Sequence, residues 1–138
     1  MVQITTEQQA ALEKLEKMQD EESLWEIVIA YQNTLFYTAS GLPFTYTIKI
    51  GKKGQLTKEL IIDRREQSKT LTWSSIRVAF EKVMRDKAAG KGNYYDRPKA
   101  IGDIRGVSYA YSMFWRFGII EVPEAVAEKM KGTPLSAE

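Results

Sequence analysis

The chain has 138 residues, 43% hydrophobic and 28% charged, the size and make-up of one domain able to bury its own core without covalent staples. It holds no cysteine and no histidine. That excludes disulfides, the nitrogen and sulfur ligands of structural zinc, cysteine nucleophiles, Ser-His-Asp triads and imidazole acid–base chemistry. The net charge of +2 conceals an asymmetry: residues 1–48 sum to −5, residues 49–105 to +8 and residues 106–138 to −1.

No apolar run reaches the ~20 residues of a membrane span. The opening MVQITTEQQAALEKL lacks the basic-then-apolar pattern of a signal peptide. The expectation is a soluble cytoplasmic protein with no membrane partner.

In chain order, residues 5–22 read as an amphipathic helix. Thr6 and Gln9 offer a capping box, and Ala11, Leu15 and Met18 form a narrow stripe with Leu12 beside it. Leu24–Tyr31 suits a short helix or a strand, with helix preferred. TLFYT at 34–38 is β-branched and aromatic, a strand composition. After the turn residues of ASGLP, FTYTIKI at 44–50 alternates: Phe44, Tyr46, Ile48 and Ile50 on one face, Thr45, Thr47 and Lys49 on the other. GKKGQ is a turn, and 56–63 is a third strand.

Residues 72–87 read as a helix capped by Thr72, with Trp73, Ile76, Phe80 and Val83 inward and Ser74, Arg77, Glu81 and Arg85 outward. Residues 88–98 read as a basic, mobile, glycine-rich loop, and Gly102 and Gly106 as turn residues. Residues 106–118 form a helix stopped by Gly118. Arg116 is its only charge, so it belongs either in the core or in an interface. Ile119 and Ile120 suggest a short strand. Residues 122–132 carry helix-end signals on both sides, with Pro123 in the first turn and Gly132 after, and 132–138 is a loose tail.

The basic centre suggests phosphate contacts. Arg64, Arg65, Lys69, Thr72, Ser74, Ser75 and Arg77 surround a helix start, where backbone N–H groups and hydroxyls suit anions. Lys52, Lys53, Lys91, Arg97, Lys99 and Arg105 extend the patch if the fold gathers them. The plainer reading is a solvated surface with a threonine cap, partly neutralised by Asp63, Glu66 and Asp103. Among the aromatics, Phe44, Tyr46, Tyr109 and Tyr111 read as core, while Tyr94 and Tyr95 are the candidates for stacking on bases. Glu59 and Asp63, with Lys58 or Glu66, are a weak basis for a metal nuclease. There is no P-loop, GxGxxG or EF-hand pattern.

Three segments, FYTASGLPFTYTIKI, IIDRREQSKTLTWSSIRVAF and PKAIGDIRGVSYAYSMFWRFGII, resemble a group of small bacterial proteins with no assigned activity. The resemblance covers residues 34–120 and implies no catalytic residues. The strand–strand–basic-helix order is also similar to small modules attached to DNA-targeting proteins, a likeness of fold that leans towards DNA.

The sequence therefore predicts one α+β domain. It comprises an N-terminal amphipathic helix (1–22) and an α+β core (34–120), in which a three-stranded antiparallel meander is covered by helices. The expected function is a non-catalytic nucleic-acid-binding module, DNA favoured, without cofactor or metal and with oligomeric state left open. The alternative is a protein-interaction or inhibitor module of a mobile element, using the N-terminal helix or the 106–118 helix.

Overall fold

Thr5, not Thr6, opens the first helix in the computed structural model, which describes residues 4–64 and 68–131. Helix α1 (Thr6–Met18) begins where Thr5 Oγ1 accepts the Gln8 N–H at 3.0 Å and Gln8 Oε1 accepts the Thr5 N–H at 3.1 Å. The capping box sits one residue earlier than expected because Gln8 faces inward. Its Nε2 donates to Ala30 O and Thr34 Oγ1, both at 3.2 Å, while Gln9 stays exposed and bonds Glu13. The expected single helix over 5–22 breaks at Gln19, which takes a left-handed φ of 50°. Asp20 then caps a second helix, α2 (Glu21–Ala30), by accepting the Ser23 N–H at 2.9 Å. The stripe of α1, Ala11 and Leu15, is buried, and α1 packs on α2.

The sheet has four antiparallel strands in sequential order: β1 (Phe36–Tyr37), β2 (Pro43–Ile50), β3 (Leu56–Arg64) and β4 (Lys69–Thr72). The fourth strand was not anticipated. Leu71 is its one apolar residue, and Thr72 both ends it and caps the next helix. The pairs Tyr46↔Ile62 and Ile48↔Leu60↔Leu71 put these side chains, with Phe36 and Phe44, on one buried face. Thr45, Thr47, Ile61, Asp63 and Thr70 point the other way, and none of them is buried. Ile50 departs from the expected alternation. The register shifts between Ile48 and Ile50, and Ile50 is left 57% exposed.

Helix α3 (Trp73–Ala88) buries Ile76, Ala79, Phe80 and Val83. Helix α4 (Val107–Arg116) buries its centre, Ala110–Phe114, and leaves Val107, Ser108, Tyr109, Trp115 and Arg116 half-buried. Its start lies across the sheet between β4 and β2. A Cβ on Gly106 would stand 2.9 Å from Leu71 Cδ1, and the Tyr109 ring lies 5.0 Å from that of Phe44. Gly106 also has φ +79°, so glycine is required there on both counts. Gly118 ends α4 with φ +81°, as expected.

The 88–98 segment is tied down, contrary to expectation. Tyr95 N donates to Glu121 O and Glu121 N to Asn93 O, both at 2.9 Å. That parallel bridge of Tyr94 with Glu121 replaces the strand expected at Ile119–Ile120. A 3₁₀ turn follows at Pro98–Ile101, and α5 (Glu124–Met130) starts after Pro123 in the N-cap position. Arg65, Glu66, Gly132 and the expected tail lie outside the described residues. No helix among the described residues is long and apolar enough to cross a membrane.

Candidate nucleic-acid interface

The antiparallel turn from β3 to β4 divides the basic cluster that looked continuous in sequence. Lys69 pairs with Ile62, and Thr72 pairs with Glu59, so β4 carries the chain back along β3 before α3 begins. Arg64 and the β2–β3 turn therefore stand at opposite ends of the sheet. The stretch of β3 from Lys58 to Arg64 alone spans about 20 Å.

At the first end, Arg64 lies on the helix-covered side, level with Phe44, and its Nη1 donates to the Tyr109 hydroxyl at 3.0 Å. Lys69 is exposed on the same side of the edge strand, diagonal to Arg64. Arg105 precedes the start of α4, which has no side-chain cap. Arg64 and Lys69 share that end. Lys99 is exposed on the 3₁₀ turn.

The second end is the β2–β3 hairpin. Lys52 and Lys53 are exposed in a turn closed by Gly54 N–H to Gly51 O at 3.0 Å and Gly51 N–H to Gln55 O at 2.8 Å. Gly54 takes φ +82°. Lys49 approaches Glu59 at 3.6 Å. Lys58 shares the inward side of β3 with Leu60 and Ile62, yet its ammonium stays in solvent above two indoles. It lies 4.2 Å from the Trp25 ring centre and 5.5 Å from that of Trp73. The two indoles meet edge to face, centres 4.9 Å apart at 65°. Ile50 and Leu56 are exposed on the same hairpin, at 57% and 49%.

The start of α3 adjoins this hairpin end, and most of its polar groups are already engaged. Thr72 Oγ1 accepts the Ser75 N–H and bonds Ser75 Oγ, both at 3.2 Å. Ser74 remains exposed. Arg77 is matched by two acids, with Nε 3.2 Å from Glu21 and Nη2 3.6 Å from Glu81. The Nε approach is an ion-pair contact whose direction falls short of a hydrogen bond. Arg77 is thus a strut between α2 and α3.

Sequence reasoning missed Trp25, Trp73 and Lys58. Trp73 reads as a member of an apolar helix stripe, and Trp25 falls in the Leu24–Tyr31 segment that suits a helix or a strand. The available signal was Lys58, whose parity with Leu60 and Ile62 aims a cation towards the helices, where it needs an aromatic face or an acid. Of the two tyrosines expected as contacts, Tyr94 is 61% exposed, whereas Tyr95 is buried at 6%. The Tyr95 hydroxyl donates to Asp86 Oδ2 at 2.8 Å, and its carbonyl accepts the Tyr111 hydroxyl at 2.6 Å. Two donors hold the Asp86 carboxyl below its ordinary range: first the Tyr95 hydroxyl, then the Lys82 ammonium.

Glu59 and Asp63 share the uncovered face, but four residues along a strand set them about 13 Å apart, too far to hold one metal ion. Among the described residues no group of three acids could hold one. A cavity of about 300 Å³ opens between α1, α3 and the end of α4, floored by Leu12, Leu15, Phe80 and Phe117, with the Lys87 ammonium donating to Gln19 Oε1 at 2.6 Å beside it. No family model matches the chain, no curated protein matches its sequence and no solved structure matches it.

Proposed function

We propose that the protein is a non-catalytic nucleic-acid-binding module that grips phosphates with the β2–β3 hairpin end of its sheet, DNA being the first polymer to test. One observation carries the reading. Lys52, Lys53 and Lys58 stand together at that end, and none of them has an acidic side chain within ion-pair range among the described residues. The exposed Ser74 flanks them, while Lys49 is paired with Glu59 on the other face of the sheet. Such lysines bind a phosphate backbone by releasing its counterions. Arg64 and Lys69 supply a second group that a longer polymer reaches along the sheet.

The test is an anisotropy titration with labelled DNA at several salt concentrations. The native chain should bind with an affinity that falls steeply with salt. Lys52→Ala with Lys53→Ala should shallow the log–log slope by about 1.4 to 1.8, at ~0.7 to 0.9 per phosphate contact. No binding at micromolar protein in low salt, or an unchanged slope in the double variant, refutes the reading. Arg64→Glu reports on the second group.

A further inference from the structure

We infer that the polymer is held as a single strand, with one base stacked on the indole of Trp25; this rests on the nucleic-acid reading of the same hairpin end. Helices α2 and α3 lie antiparallel here, since Glu21 meets Arg77 and, four residues along each helix, Trp25 meets Trp73. The edge-to-face arrangement consumes one edge and one face of the pair. Trp25 is half-buried, and the exposed Lys58 places its ammonium over the ring, 4.2 Å from its centre.

Lys58 is exposed and on a flexible stem, and a cation over an indole at such a solvent-facing site is held weakly. A nucleobase stacks on an aromatic face more strongly, and does so whatever its identity. The exchange is self-consistent. A base takes the indole face, and the displaced ammonium moves to the adjoining phosphate. Lys52 and Lys53 lie where the backbone continues, while Ile50 and Leu56 offer apolar surface to the next sugar or base. A duplex keeps its bases stacked inside and presents only phosphates to such a surface, so it gains the lysines but not the indole.

The experiment compares a 12-nucleotide oligo-dT with a 12-base-pair duplex on the intact chain, reading anisotropy and tryptophan emission together. Trp115→Phe serves as background, so that the emission reports Trp25 and Trp73. Oligo-dT should bind about tenfold more tightly than the duplex and quench the emission, and Trp25→Leu should cost about tenfold in oligo-dT affinity with little change for duplex. Should Trp25→Leu fail to fold, Lys58→Ala tests the same point. It should keep the quenching while the salt slope falls by ~0.7. Equal affinity for duplex and single strand with unchanged emission overturns the single-strand inference and leaves the nucleic-acid reading standing. Binding of neither polymer overturns both. Quenching by a poly-glutamate peptide but not by oligo-dT assigns the surface to an acidic protein partner and overturns the inference.

Discussion

Removing one oxygen from the core, in Tyr46→Phe, tests how the sheet is fixed to α2. Tyr46 is fully buried, and its hydroxyl donates to the Val28 carbonyl at 2.5 Å. In an uninterrupted helix the Gln32 N–H would close on that carbonyl, but it donates instead to Ile29 O at 3.3 Å. The tyrosine thus satisfies a carbonyl that the end of the helix leaves orphaned. Deleting the hydroxyl strands a buried acceptor, which costs ~1 to 3 kcal/mol, and the full burial of Tyr46 puts this site in the upper part of that range, about 2 to 3 kcal/mol. With an unfolding entropy of ~2.1 cal/mol/K per residue, the chain's 138 residues turn that loss into a fall in Tm of about 7 to 10 °C. Thermal melts followed by circular dichroism, on native protein and variant side by side, read this directly. Tyr31→Phe is the control, because the Tyr31 hydroxyl makes no hydrogen bond among the described residues and is not a buried orphan. It should melt close to the native chain. A Tyr46→Phe variant melting within about 2 °C of the native chain would show that the Val28 carbonyl finds another donor and that the bond does not anchor the helix.

Alkaline pH tests the same core. Burial raises the Tyr46 phenol well above its ordinary value, raises Tyr111 to about 12, and raises Tyr95 too, with the Asp86 carboxylate adding to burial there. The folded state favours the neutral phenols, so their contribution is whole below pH 10 and drains away as the pH rises above it. Urea midpoints should therefore fall from pH 10 towards 12, less steeply in Tyr46→Phe; a midpoint flat across that window would contradict the burial of these phenols. Gly106→Ala should cost about 2 to 3 kcal/mol, because it combines a left-handed residue with overpacking on Leu71. A midpoint shift worth under about 1 kcal/mol would mean that β4 yields to make room.

Much of the fold was legible because its strongest patterns are local. The alternation from Phe44 to Ile48, the stripe from Ile76 to Val83 and the Gly118 stop each need only neighbouring residues. What failed depended on distant ones. Gln8 rather than Gln9 joins the first cap because Ala30 and Thr34 give its amide somewhere to go. Tyr95 sits in a polar, glycine-rich stretch, yet it is buried because Asp86 and Glu121 meet its hydroxyl and its N–H. Residues 64–77 looked like one cationic surface since they are adjacent in sequence, and strand pairing placed Arg64 and the start of α3 at different ends of the sheet. The break at Gln19 did have a readable sign, Asp20 three residues ahead of Ser23, overshadowed by the helix-forming residues before it.

The order in which the elements leave the ribosome has a cost written into the position of α4. Every strand is made from sequence neighbours and can pair as soon as residue 72 is free. The helix laid between Leu71 and Phe44, whose Ser112 hydroxyl donates to the Tyr37 carbonyl 75 residues earlier, arrives only at residues 107–116. During that interval the nascent chain carries a finished meander whose apolar face is incompletely roofed. A chain released early, by a stop codon or a protease cut between α3 and α4, keeps all its strands and loses the cover, and such a fragment is a seed for aggregation.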